Sequence, residues 1–314
     1  MGLGTNHVTK TTAATFIPAI WSDEIVAAYK KNLVAANLIK KMNFKGKKGD
    51  TVHIPSPTRG SASAKAASTQ VTLIAATESE VVVSINKHYE YSRMIEDIVE
   101  AQALSSLRQF YTDDAGYALA KQVDTDLIRL GRVSNGGVVG TSDYATAATT
   151  TNAFIGSNGT TVYNSSTSNA AALTDAAIRR TIQRLDDNDV PMDGRFFIVP
   201  PSSRNTLMGL ARFTEQAFVG EQGSANTIRN GQIGDVYGVS VYVSTNADTA
   251  AGTSGTDRIA LMGHKDAYVL VEQQGIRSQT QYKQEYLGTL FTADTLYGVA
   301  ELRDYSTVAL AVPA

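Results

Sequence analysis

The residues of this 314-residue chain with the strongest chemical potential are few and lie far apart. Asp186-Asp187-Asn188-Asp189 is its densest acidic run. A calcium loop needs oxygen ligands at alternate positions and a glycine at the sixth. Val190 and Pro191 interrupt that pattern, so the run reads as a solvated helix end and turn. His7, His53, His88 and His264 fall in segments of different kind, without the H-E-x-x-H spacing that places two imidazoles on one helical face. Gly231, Gly234 and Gly238 do not make the G-x-G-x-x-G turn of a dinucleotide site. Neither a G-x-S-x-G elbow nor a phosphate-cradling G-x-x-x-x-G-K-[ST] loop occurs. The chain has no cysteine, which removes disulfides, thiolate metal sites and cysteine nucleophiles together. The reading is of a protein that is not an enzyme, with no catalytic, cofactor or metal residues.

The basic residues are equally restrained. Lys40, Lys41, Lys45, Lys47 and Lys48 form the one dense cluster, without the interleaved aromatics that stack on bases. It reads as a solvated helix end and turn. A net charge of −2 opposes a surface that grips nucleic acid throughout, because such surfaces neutralise many phosphates. A container for nucleic acid, by contrast, should avoid strong attraction to its contents. With 43% apolar and 18% charged residues the chain is globular and long enough for one large or two ordinary domains. No apolar run approaches the roughly 18 residues of a membrane span, and the amino end lacks a secretory pattern.

The elements explain more than the candidate sites. Helical spacing dominates Asp97 to Gly131, with Leu104, Leu107, Tyr111, Ala115, Leu119, Val123 and Leu127 on one stripe and Ile95 leading in. Asp97 and Glu100 suggest a cap, Gly131 a left-handed stop, and Asp113 to Gly116 a kink. Such a helix would be roughly 50 Å long, more than a small domain needs, which suggests a spine joining separate parts. Upstream, Met1 to Thr15 has no periodicity. Trp21, the only tryptophan, precedes a helix expected from Ser22 to Lys41, with Lys40 and Lys41 in its last turn. Thr51 to Ile54 alternates as a strand that Pro55 and Pro57 should break. Residues 58–70 are small and polar with Arg59 and Lys65 as their charges, and the chain returns through Val71 to Leu73 and Val81 to Ile85. This is a long two-stranded arm that needs a surface to lie on, and a second subunit is the expected support.

After the spine, Ser134 to Ala172 has Asp143 as its only charge and is expected to pack as a surface loop or short ribbon. From Thr174 the texture turns to mixed helix and strand. Thr174 caps a helix ending near Asp187, Arg195 to Val199 is a buried strand, and a short helix covers Ser203 to Leu210. Strands are expected at Val239 to Val243, Arg258 to Met262, Ala267 to Glu272 and, in polar form, Gly275 to Tyr286. Gly288 to Leu296 reads as helix or turn, and Tyr297 to Val312 as strands.

The order of these stretches resembles the major capsid proteins of tailed bacteriophages with the Hong Kong 97-type fold. The likeness is carried by FIPAIWSDEIVAAYKKNLVAANLI (16–39) with KKGDTVHIP (47–55), the run from Tyr91 to Gly131, RFFIVPPSSRNTLMG (195–209), GQIGDVYGVSVYVSTN (231–246), GHKDAYVLVEQQ (263–274) and LYGVAELRDYSTVALAV (296–312). It implies an α+β chain divided into an N-terminal arm and helix (1–50), an extended β-hairpin loop (51–91), a peripheral domain spine helix (92–133), a loop insertion (134–173), an axial domain (174–262) and the return strands of the peripheral domain (263–314).

The resemblance further implies a structural coat protein that assembles with itself as pentamers and hexamers into an icosahedral head around double-stranded DNA. Its place would be the virion, after assembly in the host cytoplasm. Partners would be a separate scaffolding protein, since the amino end is short, and a portal protein at one vertex, with room for a decoration protein and no membrane. Arg59, Lys65 and Trp21 are the candidate inter-subunit contacts. Some relatives crosslink a lysine to an asparagine with the help of a carboxylate. Lys65 lies in the corresponding loop, with no partner assigned. The rival readings are an encapsulin, a shell of the same fold around a cargo enzyme, and a surface adhesive protein.

Overall fold

The structure, a computed structural model, describes residues 35–57, 60–71, 73, 78–97, 107–134, 144, 153–210, 234–252 and 255–314. Two sheets share one helix. The first sheet has four strands in the order β1 (Lys40–Asn43), β11 (Tyr268–Lys283), β12 (Gly288–Glu301), β4 (Lys87–Glu96). Only the β1–β11 pair is parallel. The second sheet runs β5 (Ala153–Ile155), β13 (Thr307–Val312), β10 (Gly255–His264), β6 (Arg195–Val199), β8 (Val239–Val243), β7 (Asp235–Val236), with β9 (Thr249–Gly252) also on β10. A third unit is the antiparallel ribbon of β2 (Thr51–Pro57) and β3 (Glu78–Ser84).

The spine helix α2 spans Leu107–Ile128, 22 residues, and tightens into a 3₁₀ turn at Arg129–Arg132. It is about 33 Å long at 1.5 Å per residue. The expected first turns fall on residues 98–106, outside the described residues, and Ile95 belongs to β4 instead. The proposed kink does not interrupt the helix. Ala115 is packed among Ile95, Phe291 and Ala293, and Asp114 accepts a hydrogen bond from Tyr91 OH at 2.7 Å, so sheet contacts anchor that turn. Further along, Val123, Leu127 and Ile128 lie in a cluster fed by both sheets, including Tyr268, Tyr297, Phe196 and Leu261. One face of α2 therefore closes two cores in succession.

Gly131 is not the left-handed stop. A Cβ there would sit 3.0 Å from Leu261 Cδ1 and 3.1 Å from the Tyr144 hydroxyl, so glycine is needed for close packing. Lys40 and Lys41 leave no helical last turn either. The helix α1 described before them is Ala35–Leu38, and both lysines pair in β1 with Val269 and Leu270. Pro55 and Pro57 do not break β2. Ile85 N donates to Asp50 O at 2.7 Å, and alternation from that pair puts both prolines in non-hydrogen-bonded positions opposite Glu80 and Glu78. Their missing N–H groups point away from the ladder.

Gly288 to Leu296 is strand, not helix or turn. Its threonines, Phe291 and Leu290 suit a pleated surface, and β12 gains hydrogen-bonded neighbours on both edges. The two strands expected at 267–272 and 275–286 are one continuous β11, bulged between Glu272 and Arg277. Within the stretch 134–173, β5 enters the larger sheet beside β13 rather than lying on the surface. β13 itself, expected with the return strands at 263–314, sits in the seven-stranded sheet. Thr174 does cap the helix α3 (Asp175–Asp187), accepting from Ala177 N at 3.3 Å. Ala177, Ile178 and Leu185 pack against Phe197, Val199 and Met262. The short helix α4 runs Pro201–Met208 with proline in its first turn.

Candidate assembly interface

The last turns of α2 lock separate parts of the chain together with buried charge. Asp124 accepts from Ala35 N at 2.8 Å and from Asn246 Nδ2 at 2.9 Å. Asp126 accepts from Tyr297 OH at 2.7 Å and from Gln122 Nε2 at 3.2 Å, with Lys87 Nζ at 3.3 Å. Arg132 grips Asp248 with two hydrogen bonds, Nε to Oδ2 at 2.7 Å and Nη2 to Oδ1 at 2.9 Å, while Tyr144 OH donates to the same carboxylate at 3.1 Å. Asp124, Asp126 and Asp248 are all buried. Buried carboxylates need such compensation: Asp126 and Asp248 each meet a cation as well as hydrogen-bond donors, and Asp124 meets hydrogen-bond donors. Asp126 reaches the four-stranded sheet; Asp124 and Arg132 reach the loop between β8 and β9 of the larger one.

Beside this lock lies a set of groups that no sequence motif announces. Tyr268 OH donates to Thr307 Oγ1 at 2.9 Å, Thr307 Oγ1 lies 2.5 Å from Ser134 Oγ, and Ser134 and Tyr268 close the triangle. Burial pushes the Tyr268 hydroxyl above its ordinary range and the Tyr144 hydroxyl well above it. Glu301, paired with Tyr268 across the ladder, is pushed up to about 8, first by burial and then by the Asp304 carboxylate, with a Ser134 hydrogen bond acting against both. Its Oε1 is enclosed without a hydrogen-bond partner. Only the pairing of distant strands brings these groups together.

The ribbon is the second feature. Its base is seated on the chain's own sheet, where a second subunit is the support expected from the sequence. Val83 and Ile85 pack with Val269 and Val271, flanked by Val52, Ile54 and Leu296. Gly298 permits this approach, because a Cβ would lie 2.5 Å from Ser84 O. Away from the base, residues 60–71 are exposed throughout, and Val71 and Leu73 are 67% and 92% exposed. Apolar side chains this open, on a projecting ribbon, suit a contact with another molecule.

Of the three sequence candidates, Lys65 lies in this exposed segment, while Trp21 and Arg59 fall outside the described residues. Several of the other charged groups have local partners. His53 faces Glu80 at 3.0 Å, His88 faces Asp294 at 3.2 Å, and His264 Nε2 meets Asp193 O at 2.7 Å, whereas His7 lies outside the described residues. Arg277 also holds Asp294, whose carboxyl is lowered from its ordinary value by Arg277 and His88 against the opposing effect of burial. Lys45 approaches Glu272 at 3.9 Å and Lys47 lies over the Phe44 ring. In the acidic run, Asp186 pairs with the buried Arg195 at 2.7 Å and Asp187 and Asp189 stay exposed. Among the described residues no three His, Asp or Glu groups could hold a metal ion, and no helix is long and apolar enough to cross a membrane.

Residues 81–309 match the family model described as phage capsid protein. No curated protein matches the chain. Among solved structures it is similar to one from Mycobacterium phage Che8, at 21% identity and a TM-score of 0.66, covering 88% of this chain and 90% of that one. The capsid structure of cyanophage P-SCSP1u matches at 20% identity and 0.64, over 89% and 88%. A virus-like particle from Pyrococcus furiosus matches at 9% identity and 0.56, over 94% and 99%. At such identities the likeness is one of fold.

Proposed function

Because the chain belongs to the phage capsid protein family, we propose that it is the repeating subunit of a tailed-phage head, gathered as pentamers and hexamers into an icosahedral shell around double-stranded DNA. It is a structural shell protein with the Hong Kong 97-type fold, and its place is the virion capsid. The finer statements rest on the ribbon of β2 and β3. Its base is locked to its own sheet while an exposed, partly apolar segment extends beyond it, a shape suited to overlapping a neighbouring copy. Closed shells follow from heterologous contacts whose rotations close, and many interfaces of roughly 1,000 Å² each give a wall that resists internal pressure. Lys65 lies in the overlapping segment, and Arg59 and Trp21 are assigned to the same inter-subunit contacts.

A separate scaffolding protein during assembly in the host cytoplasm, a portal at one vertex and a decoration protein complete the proposed partners. A cellular compartment around a cargo enzyme is the less supported reading, since the matched family is that of phage capsids. Electron microscopy of the purified full chain, alone and co-expressed with its scaffolding partner, tests the proposal. Closed shells with five- and six-fold capsomers are expected. Small soluble oligomers under both conditions would refute it.

A further inference from the structure

The helix α3 carries Arg179, Arg180 and Arg184, and among the described residues only the first has a carboxylate partner, Asp175 at 3.0 Å. Arg180 Nη1 donates to the neutral Gln183 Oε1 at 2.8 Å. Arg184 stacks its guanidinium on the Phe154 ring, 3.5 Å from the centroid. Both side chains are half-buried, and the Nε atom of each is enclosed without a hydrogen-bond partner. Burial lowers Arg184 from its ordinary value, and the charge of Arg180 adds to that effect. Like charges four residues apart on a helix repel, and among the described residues no carboxylate lies within ion-pair distance of either. The two guanidinium groups lie one helical turn apart, and the planar fork of each matches a carboxylate.

We propose that Arg180 and Arg184 form a docking site for a carboxylate of a second copy of this chain, a contact that rests on the shell reading given above. The same helix supplies the complementary charge. Asp187 ends it and Asp189 follows at φ +55°, fixed by Asp189 N donating to Asp186 O at 3.0 Å; both are exposed and without a cationic partner among the described residues. Arg180, Arg184 and Asp187 share one face of α3, so cationic and anionic groups side by side make a self-complementary patch, as a two-fold contact between identical subunits requires. Phosphate of enclosed DNA is the competing occupant, and the test separates the two.

The test compares particle formation by wild type, R180E/R184E, D187R/D189R and the fourfold reversal, using sedimentation and electron microscopy of the full chain. R180Q/R184Q and thermal unfolding of the unassembled subunits serve as controls for folding. Each double reversal is expected to weaken association by about tenfold or more, and the fourfold reversal to restore it. Normal assembly by R180E/R184E overturns the proposal. So does a fourfold variant that folds yet assembles no better than the doubles, or an R180Q/R184Q shell that forms normally and only encloses less DNA. A wild type that forms no particles defeats the shell reading itself, a result distinct from these.

Discussion

Arg132 and Asp248 meet through two parallel hydrogen bonds, at 2.7 and 2.9 Å, between the end of the spine helix and the loop entering the seven-stranded sheet. Asp248 is buried and Arg132 nearly so. Breaking such a pair from one side leaves an uncompensated charge, so Asp248→Ala should destabilise the subunit by about 3 kcal/mol or more. Urea unfolding of the unassembled chain measures it. A loss below about 1 kcal/mol, the worth of a surface pair, would show that the lock carries little.

Gly298 lets the base of the ribbon rest on β12, where an added Cβ would meet Ser84 O at 2.5 Å. Gly298→Ala should therefore cost about 1–3 kcal/mol through overpacking and shift the ribbon on its sheet. Unfolding midpoints report the first effect and the geometry of assembled particles the second. An unchanged midpoint would argue that the ribbon yields freely.

Removing residues 60–70 and closing the gap with a short glycine–serine turn should leave unfolding of the subunit almost unaltered, because that segment is exposed. Stable shells should be lost. Particles of normal stability from this variant would exclude the ribbon overlap.

Glu301 gives the subunit a pH dependence of defined sign. Its carboxyl has an ordinary value of 4.5 and stands at about 8 in the fold. Between those values the folded chain binds more protons than the unfolded chain, so stability falls as pH rises. The loss is complete above the folded value. Glu301→Gln should flatten the stability profile between pH 4.5 and 8 relative to wild type. Parallel profiles for the two proteins across that window would contradict the assignment.

Much of the fold is legible in the residues one element at a time. The stripe of Ala115, Leu119, Val123 and Leu127 marks the spine, and Thr174 marks the start of α3, because both signals are local: helical spacing and a single capping hydroxyl. The apolar run Phe196 to Val199, led by Arg195, marks a strand buried on both faces. The misread segments are those whose conformation depends on a distant partner. Gly288 to Leu296 becomes strand through pairing on both edges. Lys40 and Lys41 become strand through β11. Pro55 and Pro57 remain in theirs because the register leaves their positions free of ladder hydrogen bonds.

Sequence alone determined that this chain is a globular α+β protein without cysteine chemistry or a recognisable catalytic motif, arranged around one long helix and one extended ribbon. Composition and local periodicity are enough for that. Only the tertiary structure decided what the helix joins. Asp124, Asp126 and Arg132 are ordinary polar residues of a helix end until Ala35, Lys87, Asn246, Asp248 and Tyr297 arrive from four separate parts of the chain. The elevated Glu301 belongs to the same class, as do Arg180 and Arg184, which have no carboxylate partner among the described residues. Burial and the position of distant charges set their chemistry, and neither is written in the spacing of neighbouring residues.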